Sequence, residues 1–73
     1  LGNSTRSAHA KYFLGDMCER GDGVPLDLAQ AYMWFSLAAV TGEELFVRSR
    51  DSVARKMTPE QIEQLKSIGY LAQ

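Results

Sequence analysis

The chain has 73 residues, 45% of them hydrophobic and 23% charged, with a formal net charge of −1 at pH 7. A chain this short buries only ~60% of the surface its unfolded form exposes, which allows one small domain with a thin core. A balanced charge supplies no global field for nucleic acid or anionic lipid, and the single Cys18 leaves no internal disulfide.

No apolar run approaches the ~20 residues of a membrane helix. The opening "LGNSTRS" lacks the apolar core of a signal peptide, which leaves the compartment open.

A first helix is expected with Ser4, Thr5 or Ser7 as its cap and Ala10, Phe13, Leu14, Met17 and Cys18 on its inner face. It stops at Gly21, because glycine just past a helix end takes the left-handed conformation at no steric cost. Gly23 supplies a second unusual backbone angle, and Pro25 stiffens the exit. Asp27 caps a second helix, with Gln30 at the capping-box position.

The apolar face of that second helix reads Leu28, Ala31, Trp34, Phe35, Ala38 and Ala39, and Gly42 ends it. A third helix over 43–56 carries Leu45, Phe46, Val53 and Met57, with Ser49 and Arg50 interrupting the stripe. Glu44 with Arg48, and Asp51 with Arg55, have the i,i+4 spacing of helical ion pairs. "TPEQ" opens a fourth helix: Thr58 as cap, Pro59 at the first helical position and Gln61 closing a capping box. Ile62, Leu65 and Ile68 or Gly69 form its inner face. No stretch alternates with period two, so the class is all-α, four short helices in two antiparallel hairpins.

The stretch "GDGVPLD" from 21 to 27 invites comparison with a phosphate-binding loop. The dinucleotide fingerprint places its third glycine where Leu26 stands, and it follows a strand rather than a helix. A Walker-type ending of glycine, lysine and serine or threonine is missing as well. A structural turn explains every residue of the stretch.

From Ala10 to Gly42 the chain resembles the Sel-one-like repeat (SLR), a relative of the tetratricopeptide repeat. Ala10, Leu14, Gly15, Gly21, Gly23, Val24, Asp27, Ala31, Trp34, Ala38, Ala39 and Gly42 match that family's pattern, and Cys18 stands where the pattern has tyrosine. The resemblance implies an α-α superhelix, with one repeat at 10–42 preceded by an N-terminal extension and helix start at 1–9. One period after Ala10 and Leu14 stand Phe46 and Arg50, so 43–73 reads as a capping helix pair rather than a second repeat. The SLR family implies an adaptor or scaffold that assembles protein complexes, often in bacteria. The alternative is a purely structural terminal module of a longer scaffold, with no partner of its own.

Other chemistry finds little support. His9 and Cys18 lie nine positions apart on one helix and cannot share an ion, and no other histidine or cysteine exists. Cys18 lacks an oriented base, so a partly buried structural thiol is expected. Glu43 with Glu44, and Glu60 with Glu63, fall at helix starts or on solvent faces. Neither enzyme activity nor a cofactor is expected.

Arg48, Arg50, Arg55 and Lys56 form the only basic cluster, offset by Glu43, Glu44 and Asp51, so nucleic acid is not the expected partner. Trp34 is expected in the core, with Tyr32 partly exposed. A protein partner would meet the exposed positions of the first helix: Lys11, Tyr12, Asp16, Glu19 and Arg20. The apolar residues around Ala10, Phe13 and Leu14 have no covering helix before them, so weak self-association through this N-terminal face is also expected.

Overall fold

A computed structural model gives the architecture and describes residues 4–67. Four helices follow one another: α1 (Ser4–Arg20), α2 (Leu28–Ala39), α3 (Glu44–Lys56) and α4 (Pro59–Ser67). No strand occurs among the described residues. The protein is all-α, and its helices pack as hairpins around α2, which touches α1, α3 and α4.

The turns follow from local chemistry. α1 begins at Ser4, so Thr5 and Ser7 lie inside it and its capping residue falls outside the described residues. Ser7 instead accepts from Lys11 Nζ at 3.2 Å. Gly21 (φ 69°) and Gly23 (φ 80°) both take the left-handed conformation. The amides of Gly21 and Asp22 donate to the Met17 carbonyl at 2.8 and 3.0 Å, which satisfies the end of α1. Asp27 has extended backbone (φ −153°, ψ 98°), and its carboxylate accepts from the Gln30 amide at 3.1 Å, capping α2.

α2 stops at Ala39, before Gly42. The Thr41 hydroxyl donates to the Ala38 carbonyl and accepts from the Glu43 amide, both at 3.2 Å, and Gly42 (φ 83°) turns the chain into α3. At α4 the capping box is complete. The Thr58 amide donates to Gln61 Oε1 at 2.9 Å, and the Gln61 amide donates to the Thr58 hydroxyl at 3.2 Å.

Two core clusters hold the helices together. Ala8, Ala38, Ala39 and Phe46 form one, and Cys18, Ala31, Phe35 and Val53 form the other. Tyr12 packs against both, with ring centroids 5.5 Å from Phe35 and 5.4 Å from Phe46. Small residues on the facing sides of α1 and α2 bring the two backbones close, and Phe35 fills the space over Gly15.

This packing corrects the expected inner face of α1. Ala8, Gly15 and Cys18 are buried, while Ala10, Phe13 and Leu14 are exposed and Met17 is half-buried. The helix is apolar on two sides, and it buries the side of small residues. Leu45 also lies outside the core, half exposed, because Phe46 and Val53 fix the inner line of α3. Trp34 is half-buried, and its neighbour Phe35 takes the central position at 1% exposure. Asp51 pairs with Arg50 Nε at 3.2 Å rather than with Arg55. On α4, Leu65 is buried and Ile62 half-buried, while Ile68 and Gly69 lie outside the described residues.

Candidate functional site

A groove of about 380 Å3 runs along the outside of the first hairpin. α1 contributes Leu14, Met17 and Cys18, and the turn contributes Val24, Pro25 and Leu26. Asp27, Gln30 and Trp34 form the α2 side. The groove exists because Gly21 and Gly23 fold the turn back. A Cβ on Gly21 would stand 3.1 Å from the Leu26 Cβ, so only glycine lets the turn close so tightly.

The surface around the groove is apolar and open. Phe13 is 63% exposed, Leu14 40%, Leu26 61% and Leu37 43%. Phe13 and Leu14 follow Ala10, and Met17 follows them, at the i, i+3, i+4, i+7 spacing of one helix face. Asp27 is the only charged side chain lining the groove, and its carboxylate is engaged as the cap of α2.

The five residues expected to line a binding surface are placed differently. Lys11, Tyr12, Asp16 and Glu19 are half-buried, and only Arg20 is exposed. Tyr12 bridges the core clusters and turns inward. Asp16 pairs with Arg20 Nε at 3.1 Å. Glu19, 19% exposed, accepts from Lys56 Nζ at 2.7 Å and ties the end of α1 to the end of α3. On the polar side of α1, Glu19 is tied to α3, while Lys11 with Ser7 and Asp16 with Arg20 form surface pairs within the helix; the other open side is apolar. The signal for this was the second apolar stripe of α1, whose large members were assigned to the core.

The basic cluster is similarly engaged. Arg48 pairs with Glu44 at 2.8 Å, Arg50 with Asp51 and Lys56 with Glu19, while Arg55 is exposed. Three of its four cations thus carry a carboxylate partner, which weakens any pull on a phosphate backbone.

Cys18 is 8% exposed at the edge of the groove. Burial pushes its thiol up from the ordinary value of 9.0, and the Asp27 carboxylate pushes the same way. His9 stands elsewhere on α1, edge-on to Phe46 with centroids 5.2 Å apart. A protonated thiol without an adjacent base is a poor nucleophile. Asp27→Asn, which keeps a capping residue, is expected to lower the Cys18 pKa and speed its alkylation at pH 8. Iodoacetamide rates across pH 7–10 check this, and an unchanged profile would show that Asp27 does not act on the thiol. A raised folded value stabilises the native state in full below the unfolded thiol's pKa, and that contribution fades as the pH rises through the folded one. The Cys18→Ala variant is therefore expected to lose less stability than the wild type between pH 8 and 10.

Among the described residues no group of three or more His, Cys, Asp and Glu side chains is placed to hold a metal ion. No helix among them is long and apolar enough to cross a membrane. Fold and surface together define an all-α protein of helical hairpins with an open apolar groove on its first hairpin. Family models, curated proteins and solved structures were each compared with the chain, and none matches it.

Proposed function

We propose that this protein is a protein–protein interaction module that recognises its partner through the apolar groove and the outer stripe of α1. The observation that carries this reading is the inversion of α1. Its small side chains are buried, and Phe13 and Leu14 face solvent beside a groove walled by Trp34. Contiguous exposed apolar surface of a few hundred Å2 marks contact sites on otherwise soluble domains. Catalysis would need convergent polar groups in a concave site, and this groove is mostly apolar, its polar groups being the Gln30 amide, the Cys18 thiol and the Asp27 carboxylate engaged as a cap.

The SLR-like pattern over 10–42 supports the same role, that of a scaffold repeat in a helical superhelix assembling protein complexes. A purely structural terminal module would present an even, charged exterior; the exposed aromatic ring of Phe13 favours the interaction reading.

The test is sedimentation of the purified chain over a concentration series. A face this apolar is expected to drive weak self-association when no partner is present, since contacts well below ~1,200 Å2 give transient complexes. The average mass is expected to rise toward that of a dimer at millimolar concentration. Phe13→Glu is expected to abolish the rise while leaving the far-ultraviolet circular dichroism unchanged. A strict wild-type monomer at millimolar concentration would remove the basis of this proposal.

A further inference from the structure

Two opposite charges on the first hairpin have no charged partner. Asp27 is the one charged side chain lining the groove; its Oδ1 accepts from the Gln30 amide, and its Oδ2 has no partner among the described residues. Lys11 donates from Nζ to the Ser7 hydroxyl at 3.2 Å and meets no carboxylate among them. The other acids and bases between Lys11 and Arg20 pair within the molecule, Asp16 with Arg20 and Glu19 with Lys56. An ammonium has three protons to donate, so Lys11 can keep Ser7 and still take a carboxylate.

These two charges lie at opposite ends of one line along α1. Lys11 and Cys18 are seven residues apart, about two full turns, and Leu14 stands between them. Leu14 and Cys18 both wall the groove. The Asp27 amide donates to the Cys18 carbonyl at 2.9 Å, which sets Asp27 level with the far end of the line. From Lys11 to Cys18 the rise along the helix is about 10 Å. A two-fold axis that lies in the plane of this face and crosses α1 at the level of Leu14 exchanges the two ends. We propose that the partner of this face is a second copy of the chain, docked with the two α1 helices antiparallel, so that Lys11 of each copy meets Asp27 of the other. The proposal rests on the reading of this face as an interaction surface, and it names the occupant and the register.

The charges favour a second copy over an unlike partner. A two-fold contact is self-complementary, so one unmatched cation and one unmatched anion yield two reciprocal ion pairs. A purely basic segment would satisfy Asp27 and repel Lys11, and an acidic one would do the reverse. The second copy carries both charges at the spacing required. Its net charge of −1 adds little repulsion between copies. The apolar line around Leu14 supplies the attraction. The ion pairs, exposed at the ends, contribute less energy and fix the register.

The experiment is carbodiimide cross-linking of the full chain at millimolar concentration, in an equal mixture of 14N- and 15N-labelled protein. An amide between Lys11 and Asp27 is expected in peptides that carry one label of each kind, the mark of a link between chains. Glu19 and Lys56, 2.7 Å apart within one chain, provide the internal control. In sedimentation, Lys11→Glu places like charges at both ends and is expected to raise the dimer Kd about tenfold or more. Mixing Lys11→Glu with Asp27→Asn, which keeps the cap, is expected to recover dimers, because the mixed pair has one Lys11–Asp27 contact and no like charges opposed. The proposal is overturned if dimers form with the Glu19–Lys56 link but no interchain Lys11–Asp27 link, or if Lys11→Glu dimerises like the wild type; the interaction surface itself then stands. A strict wild-type monomer overturns both. Should Lys11→Glu fail to fold, the cross-links of the unmodified chain decide.

Discussion

Phe35→Ala is expected to lose about 3–5 kcal/mol of folding stability, the range for removing a large buried aromatic ring. Phe35 is 1% exposed and lies in the second core cluster with Cys18, Ala31 and Val53. Its ring also packs at a tilt against Tyr12, which carries the packing across to Phe46. A truncated side chain leaves a void that α1 and α2 cannot both collapse into, because Gly15 already brings their backbones close. A domain of this size has a total stability near the lower end of ~5–15 kcal/mol, so most of it would be lost. Urea unfolding followed by circular dichroism gives the measurement. A loss below about 1 kcal/mol would mean that Phe35 does not hold the core. Trp34→Ala is expected to cost less, since its half-buried ring lies at the edge of the groove.

Gly15→Ala is the second large effect, and its sign is opposite to what helix propensity gives. In an exposed helix interior, alanine in place of glycine gains about 1 kcal/mol. Here a Cβ on Gly15 would stand 2.7 Å from both Cδ1 and Cε1 of Phe35. The ring cannot step aside, because Tyr12 and the core residues of α2 and α3 surround it. Forcing a methyl group into a filled core costs about 1–3 kcal/mol, which outweighs the propensity gain. The expected result is a lower urea midpoint for Gly15→Ala. Combining it with Phe35→Leu is expected to be less harmful than the sum of the two single changes, since the smaller side chain relieves the contact. A stabilised Gly15→Ala would show that α1 and α2 are further apart than the structure places them.

The open groove of the first hairpin was only partly legible in the sequence. Its turn was readable residue by residue, since Gly21, Gly23, Pro25 and Asp27 each have a conformational reason to stand where they do. The side of α1 that stays open was not. Lys11, Tyr12, Asp16 and Glu19 are polar or amphipathic and read as solvent-facing, yet two of them form ion pairs and Tyr12 joins the two cores. Glu19 meets Lys56 across 37 positions, and no local pattern encodes that contact.

The sequence by itself determined the four helices, the turns between them and the all-α class. Those features rest on interactions within a few residues: the glycine turns after α1 and α2, the Asp27 cap and the reciprocal Thr58–Gln61 box. Tertiary structure alone decided which side of α1 is buried and which of Trp34 and Phe35 takes the centre. α1 has two apolar sides, and periodicity cannot rank them. Packing ranked them by size: with Gly15 inward, Phe35 enters between the helices and fills the core, so Phe13 and Leu14 remain outside. The same choice moved Trp34 from the centre to the wall of the groove, because a helix that places Phe35 on its inner line turns the preceding residue about 100° away.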